Sequence, residues 1–193
     1  MANEIRKGAA RSVPVRQAPP ETFAPGDRVV YPSHGVGTVE GVSEEVIGGA
    51  RIELIRVSFP DSRMSVRVPV AKARSAGLRR LASREEFARA ISVLKGRPRT
   101  SKALWARRAL DYENKINSGD PVLVAEVARD LGRNFEPSGP EASLSERQFY
   151  ERAVDRLAQE LAAVEGTDKA SALCRLGDEM RSRRTDAGER PGA

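Results

Sequence analysis

The chain has 193 residues, 39% of them hydrophobic and 31% charged, with a net charge of +6. A single cysteine, Cys174, excludes an intramolecular disulfide and suits a reducing cytoplasm, and no apolar run approaches the roughly 20 residues that span a bilayer. The basic balance points to an anionic partner without choosing between DNA, RNA and a membrane surface.

Residues 1–22 read as a disordered basic arm. Within residues 1–20, Arg6, Lys7, Arg11 and Arg16 stand against Glu4, Pro14, Pro19 and Pro20 interrupt the backbone, and no apolar segment suggests a signal peptide. Strand patterns follow. An apolar run, Arg28–Tyr31, comes after the Pro25-Gly26-Asp27 turn. Residues 36–47 and 51–59 alternate loosely on either side of Gly48-Gly49, a hairpin turn. Beyond Pro60-Asp61-Ser62, Met64, Val66 and Val68 point one way while Ser65 and Arg67 point the other. Several short strands with glycine bends predict a small antiparallel barrel over 23–75. Residues 21–70 hold 5 Lys+Arg against 7 Asp+Glu, net −2, so this half is not an obvious nucleic-acid binder.

The period turns helical from Ser83. Ser83-Arg84-Glu85-Glu86 is a capping box, and Gly96 closes that helix. Thr100 or Ser101 is expected to open a second helix that ends near Gly119. Asp120-Pro121 opens a third, running to about Gly132. A loop over 137–140 follows, then a helix from Ser143 to Glu165 with a second capping box, and a fifth helix over 168–180. The expected fold class is α+β in two domains: the barrel, then an all-α domain of about five helices over 83–181, with a flexible tail over 182–193.

Charge is concentrated at the junction. Residues 71–110 carry 12 Lys+Arg against 2 Asp+Glu, net +10, and the only tryptophan, Trp105, lies within that segment. Basic side chains neutralise phosphates, and an apolar wedge can enter the minor groove at an unstacked step. Trp105 has a second reading. With Ala109, Tyr112 and Ile116 it falls on one helical face and could simply be core. Arg107, Arg108, Lys102 and Arg147 are the candidate phosphate contacts. Arg147 sits in the first turn of its helix, where a phosphate would also meet free N–H groups. His34 is the only histidine, and no Cys-x-x-Cys accompanies it, so no metal site is expected. Gly35-Val36-Gly37 lacks the remainder of a dinucleotide loop. No nucleophile elbow is present. The chain therefore reads as a non-enzyme with no catalytic residues and no cofactor.

The string Gly26-Asp27-Arg28-Val29-Val30-Tyr31-Pro32, with His34-Gly35-Val36-Gly37, resembles the opening of CarD/CdnL-type bacterial transcription regulators. Further matches follow in order: Val66-Arg67-Val68-Pro69, Trp105-Ala106-Arg107-Arg108, Ser118-Gly119-Asp120, Ala125 to Leu131, and Glu146-Arg147. The barrel alone also resembles the polymerase-interacting module of transcription-repair coupling factors. The resemblance implies a Tudor-like barrel docked on the β lobe of RNA polymerase, with Arg67 at the contact. It implies a helical domain on promoter DNA at the upstream edge of the melted region, with Trp105 as the wedge and Arg107, Arg108 and Arg147 near the backbone. The protein so implied is a cytoplasmic monomer with no membrane partner. An RNA- or ribosome-associated binding protein is the alternative, weakened by the single exposed-candidate aromatic in the basic segment.

Overall fold

The computed structural model describes residues 22–99, 101, 103–135 and 141–188. The expected arm up to residue 21, Lys102, the 137–140 loop and residues 189–193 lie outside the described residues.

Five strands form one antiparallel sheet: β1 (Arg28–Tyr31), β2 (Gly35–Ile47), β3 (Ala50–Phe59), β4 (Met64–Pro69) and β5 (Arg79–Arg80), in the order β4-β3-β2-β1-β5. The expected barrel is thus a sheet with β4 and β5 at its two edges. A register shift between Val39 and Gly41 bends the long β2–β3 hairpin. One face carries Val29, Val39, Ile55, Val57, Phe59 and Val68 into a small core, closed by Ala73 and Leu78. Ala73 ends the single-turn helix α1 (Val70–Ala73). The fifth strand was not foreseen; it lies beyond residue 75, where the barrel was expected to end, because two arginines carry no strand pattern of their own.

Five longer helices follow: α2 (Arg84–Leu94), α3 (Trp105–Asn117), α4 (Pro121–Gly132), α5 (Leu144–Glu165) and α6 (Lys169–Gly188). Four begin where side chains supply the cap, α6 by Asp168, which accepts from Ser171 N–H at 2.9 Å. Ser83 and Glu86 exchange hydrogen bonds of 3.1 and 2.8 Å with each other's backbone N–H. Asp120 accepts from Val122 N–H at 2.8 Å with Pro121 at the first helical position. Ser143 and Glu146 repeat the capping box on α5. α4 is the centre of the helical core, with Val124, Ala125, Val127, Ala128 and Leu131 buried against α2 and α5.

Two helix limits differ from expectation. α3 starts at Trp105, four to five residues late. Ser101 does not cap it: its hydroxyl instead accepts from Ala103 N–H at 3.1 Å. The preceding loop is tied elsewhere, with Arg99 N–H donating to Asp130 on α4 at 2.9 Å. Leu104 takes the N-cap position with no side-chain bond. α6 runs to Gly188 rather than ending near Met180; Arg181 pairs with Asp178 one turn back and carries the helix on.

The two halves are joined by polar contacts of high quality. Arg79 of β5 forms a two-pronged pair with Glu160 of α5, at 2.7 and 2.8 Å, and also donates to the carbonyl of Gly119. Glu160 accepts a further bond from Ala82 N–H at 3.0 Å. The Pro32-Ser33-His34-Gly35 turn packs against α5, where Arg156 donates to Ser33 O at 2.6 Å. Gly35 has φ of +85°, and a Cβ there would collide with Gln159 and Arg156. His34 stays within the turn, its ring 5.6 Å from Tyr31 and 5.3 Å from Phe59.

Candidate nucleic-acid interface

Trp105 is the first residue of α3, and it is half-buried. Tyr112 and Ile116, further along the same helical face, are fully in the core. Trp105 sits at the margin of that core, its ring centroid 6.4 Å from Tyr112 and 6.2 Å, edge-on, from Phe149 of α5. The stripe reading and the surface reading therefore each describe part of the ring. Leu104 beside it is 85% exposed. Together they place apolar surface at the start of α3, where the free N–H groups of a helix also lie.

The four basic candidates differ in their surroundings. Arg107 is exposed and makes no ion pair among the described residues. Arg108 lies half-buried, its guanidinium carbon 5.2 Å from the Trp105 ring centroid, paired to Glu146 at 3.2 Å. Arg147 is exposed in the first turn of α5, 5.7 Å over the ring of Phe135, which stacks on Tyr150 at 4.3 Å. Lys102 lies outside the described residues.

Counting along the chain overstated the available charge. Arg79, Arg80, Arg89, Lys95 and Arg108 meet Glu160, Asp27, Glu86, Glu179 and Glu146 respectively. In the groove between α3 and α4, Arg129 is buried against Asp130 at 2.7 Å. Lys115 bridges Asp111 and Glu126, each at 3.1 Å. Burial disfavours its charge, but hydrogen bonds to the two carboxylates outweigh this and raise its pKa. Arg97, Arg99 and Arg107 are exposed without an ion pair among the described residues. They lie on the loop and first turn that carry Trp105.

Arg67 occupies the other half of the molecule. It projects from edge strand β4 directly opposite Arg56 of β3. Like charges at such a pair repel, and Glu45 of β2 answers with an ion pair to Arg67 at 3.2 Å. The Arg67 side chain remains 58% exposed.

The sequence reading gave no such role to Arg79 or Glu160, and it took Glu146 as a cap and a family match without its pairing to Arg108. Glu160 left a signal. It falls on the apolar stripe of α5 at i+7 from Ala153 and i+3 from Leu157, where a carboxylate needs a buried partner. Among the described residues no His/Cys/Asp/Glu group could hold a metal ion, and no helix is long and apolar enough to cross a membrane.

Comparison with known proteins divides the chain in the same order. Residues 23–82 match the CarD-like/TRCF RID domain, and residues 89–176 match the CarD C-terminal domain. The putative transcription factor YdeB of Bacillus subtilis (strain 168) is 26% identical over 144 residues, covering 75% of this chain and 93% of its own length. The 72-residue N-terminal domain of Myxococcus xanthus CarD, solved by NMR, is 30% identical over 37% of this chain and 93% of that one, with a TM-score of 0.28. The kinship rests on the sequence matches, which follow one another through both the sheet and the helices: the chain belongs to the CarD-like family of transcription regulators.

Proposed function

We propose that this protein bridges RNA polymerase and promoter DNA and stabilises the open complex. The sheet half, with Arg67 on its β4 edge, docks on the β lobe of polymerase. An edge strand can take up another protein's strand, with side chains adding specificity. The helical half meets DNA at the upstream edge of the bubble. Trp105 wedges into the widened minor groove there, Arg107 and Arg147 meet phosphates, Lys102 adds charge, and Arg108 flanks the indole. Binding needs neither cofactor nor catalysis, and one copy in the cytoplasm suffices.

The observation that carries this reading is the half-buried Trp105 at the start of α3, braced by Tyr112 and Phe149 and adjoining the exposed Arg107. A ring seated on a core margin enters DNA without first giving up rotamer freedom. Backbone contacts position a protein without reading bases, so the sequence preference should be weak. Tethering to polymerase raises the local concentration of a weak DNA binder. Preference for the melted form then shifts the closed-to-open equilibrium. A wedge worth about 1–2 kcal/mol shifts it roughly 5- to 30-fold.

The test is Trp105→Ala. The variant should keep its fold and its polymerase binding while promoter-complex lifetimes, measured by competitor challenge, shorten several-fold. Unchanged lifetimes, or loss of the helical fold, would return Trp105 to a purely core role.

A further inference from the structure

We propose that Arg108 is a positioning residue for Trp105, pinned over the indole by Glu146, and does not itself hold a phosphate. The proposal rests on the wedge reading of Trp105 and deepens it.

Arg108 lies three residues after Trp105, so one helical turn brings the two side chains together. Its guanidinium carbon stands 5.2 Å from the indole centroid, within range of a cation–π contact. On the far side, Nη2 donates to Glu146 Oε1 at 3.2 Å. The Glu146 carboxylate is itself fixed, because its other oxygen, Oε2, accepts from Ser143 N–H at 3.0 Å in the α5 capping box. Both partners are withdrawn from solvent, the Arg108 side chain at 24% and Glu146 at 15% exposure. The Arg108 Nε–H is buried and donates no hydrogen bond. The indole is thereby bounded by Arg108, Tyr112 and Phe149.

The electrostatics favour this division of labour. If Arg108 left Glu146 for a phosphate, a half-buried carboxylate would be stranded beside the DNA backbone, and like charges in an interface are costly. Kept as an internal pair, Arg108 and Glu146 cancel, and the attraction for DNA comes from Arg107 and Arg147, which carry no ion pair among the described residues. Two adjacent arginines on one helix would thus do different work.

Trp105 is the only tryptophan, so fluorescence of the full chain, excited at the red edge of the band where its three tyrosines do not absorb, reports this side chain alone. The variants are Arg108→Gln, Arg108→Lys, Glu146→Gln and, for comparison, Arg107→Gln. A glutamine at 146 can still complete the capping box, so α5 keeps its start. In the free protein, Arg108→Gln and Glu146→Gln should each raise acrylamide quenching of Trp105 and lower its anisotropy. Arg108→Gln should weaken binding to a bubble duplex by roughly two- to fivefold, the population shift expected for losing a cation–π contact, with the salt slope unchanged, whereas Glu146→Gln, which frees the Arg108 charge for a phosphate, should raise the slope. Arg108→Lys should not rescue, because an ammonium lacks the planar fork that lies on the ring and meets the carboxylate. Arg107→Gln should lower the salt slope by about one and leave quenching alone. The proposal is overturned if Arg108→Gln leaves Trp105 fluorescence as in the wild type, or if Arg108→Lys restores binding while Arg108→Gln lowers the salt slope by about one. A separate failure is recognisable: if Trp105→Ala binds the bubble as tightly as the wild type, the wedge reading falls, whatever the fluorescence of the other variants shows.

Discussion

At the scale of single residues, what an arginine does here is decided by what already faces it. Arg107 and Arg147 project without an ion pair among the described residues, whereas Lys115 holds two carboxylates and Arg129 is buried against Asp130. Each phosphate neutralised releases condensed counterions, and log affinity then falls with log salt by about 0.9 per contact. Arg107→Ala and Arg147→Ala should therefore each flatten the salt dependence of DNA binding by about one unit, and the double variant by about two. Lys115→Ala should leave the slope as it is, because a lysine shared between Asp111 and Glu126 has no charge to spare. Affinity for a bubble duplex, titrated across a range of NaCl concentrations, measures this. A slope untouched in the Arg107/Arg147 double variant would remove both from the phosphate contacts.

At the scale of elements, the edge strand β4 makes its own prediction. Arg67 faces outward, opposite Arg56 and paired to Glu45. Arg67→Glu would set a carboxylate beside Glu45 and, under the proposed docking, in front of the acid that Arg67 is proposed to meet on polymerase. The folding cost should stay within about 0.5 kcal/mol, as for most surface substitutions, while binding of the full chain to a purified β-lobe fragment should weaken markedly. Equal affinities would take Arg67 out of the interface. Elements are also where sequence was most legible. The strands 28–69 announced themselves by alternation and by turn glycines, and α2, α4 and α5 by Ser83, Asp120 and Ser143, because a cap is a local interaction written within four residues. α3 was misplaced since its start depends on a distant tie, Arg99 N–H to Asp130, across 31 positions. β5 was missed for the same kind of reason: Arg79 and Arg80 become a strand only by pairing with Val30 and Val29. The site divides likewise. The stripe of Trp105, Tyr112 and Ile116 was visible as a helical period, but the partner of Arg108 lies 38 residues away on α5, where Glu146 read as half of a capping box and as a family match, not as an ion-pair partner.

At the scale of the whole molecule, bridging works only if the sheet and the helices hold a fixed relation, so that docking one end presents the other. The structure invests a buried charge pair in that relation. Glu160 is 5% exposed in its side chain and is met by both prongs of Arg79 and by Ala82 N–H. Arg79 also reaches the carbonyl of Gly119, so one side chain of the sheet's last strand holds both α5 and the turn between α3 and α4. Breaking such a pair from one side is costly, about 3–5 kcal/mol, because the remaining charge stays buried, whereas replacing both partners by apolar groups is often nearly neutral. Arg79→Met should accordingly lower stability to urea by that order. Arg79→Met combined with Glu160→Leu should recover part of the loss, the remainder being the Ala82 N–H and Gly119 carbonyl left without their partners. The functional outcome should differ. Both variants lose the hydrogen bonds from Arg79 to the α3–α4 turn, so both should shorten polymerase–promoter complexes even where stability is partly restored. The slope of DNA affinity against salt should not move, since Arg107 and Arg147 are untouched. Urea unfolding of the two variants, set beside complex lifetimes on one promoter, separates stability from geometry. A double variant restored in both respects would mean that the junction serves folding alone, and that the tether and the wedge need no fixed angle between them.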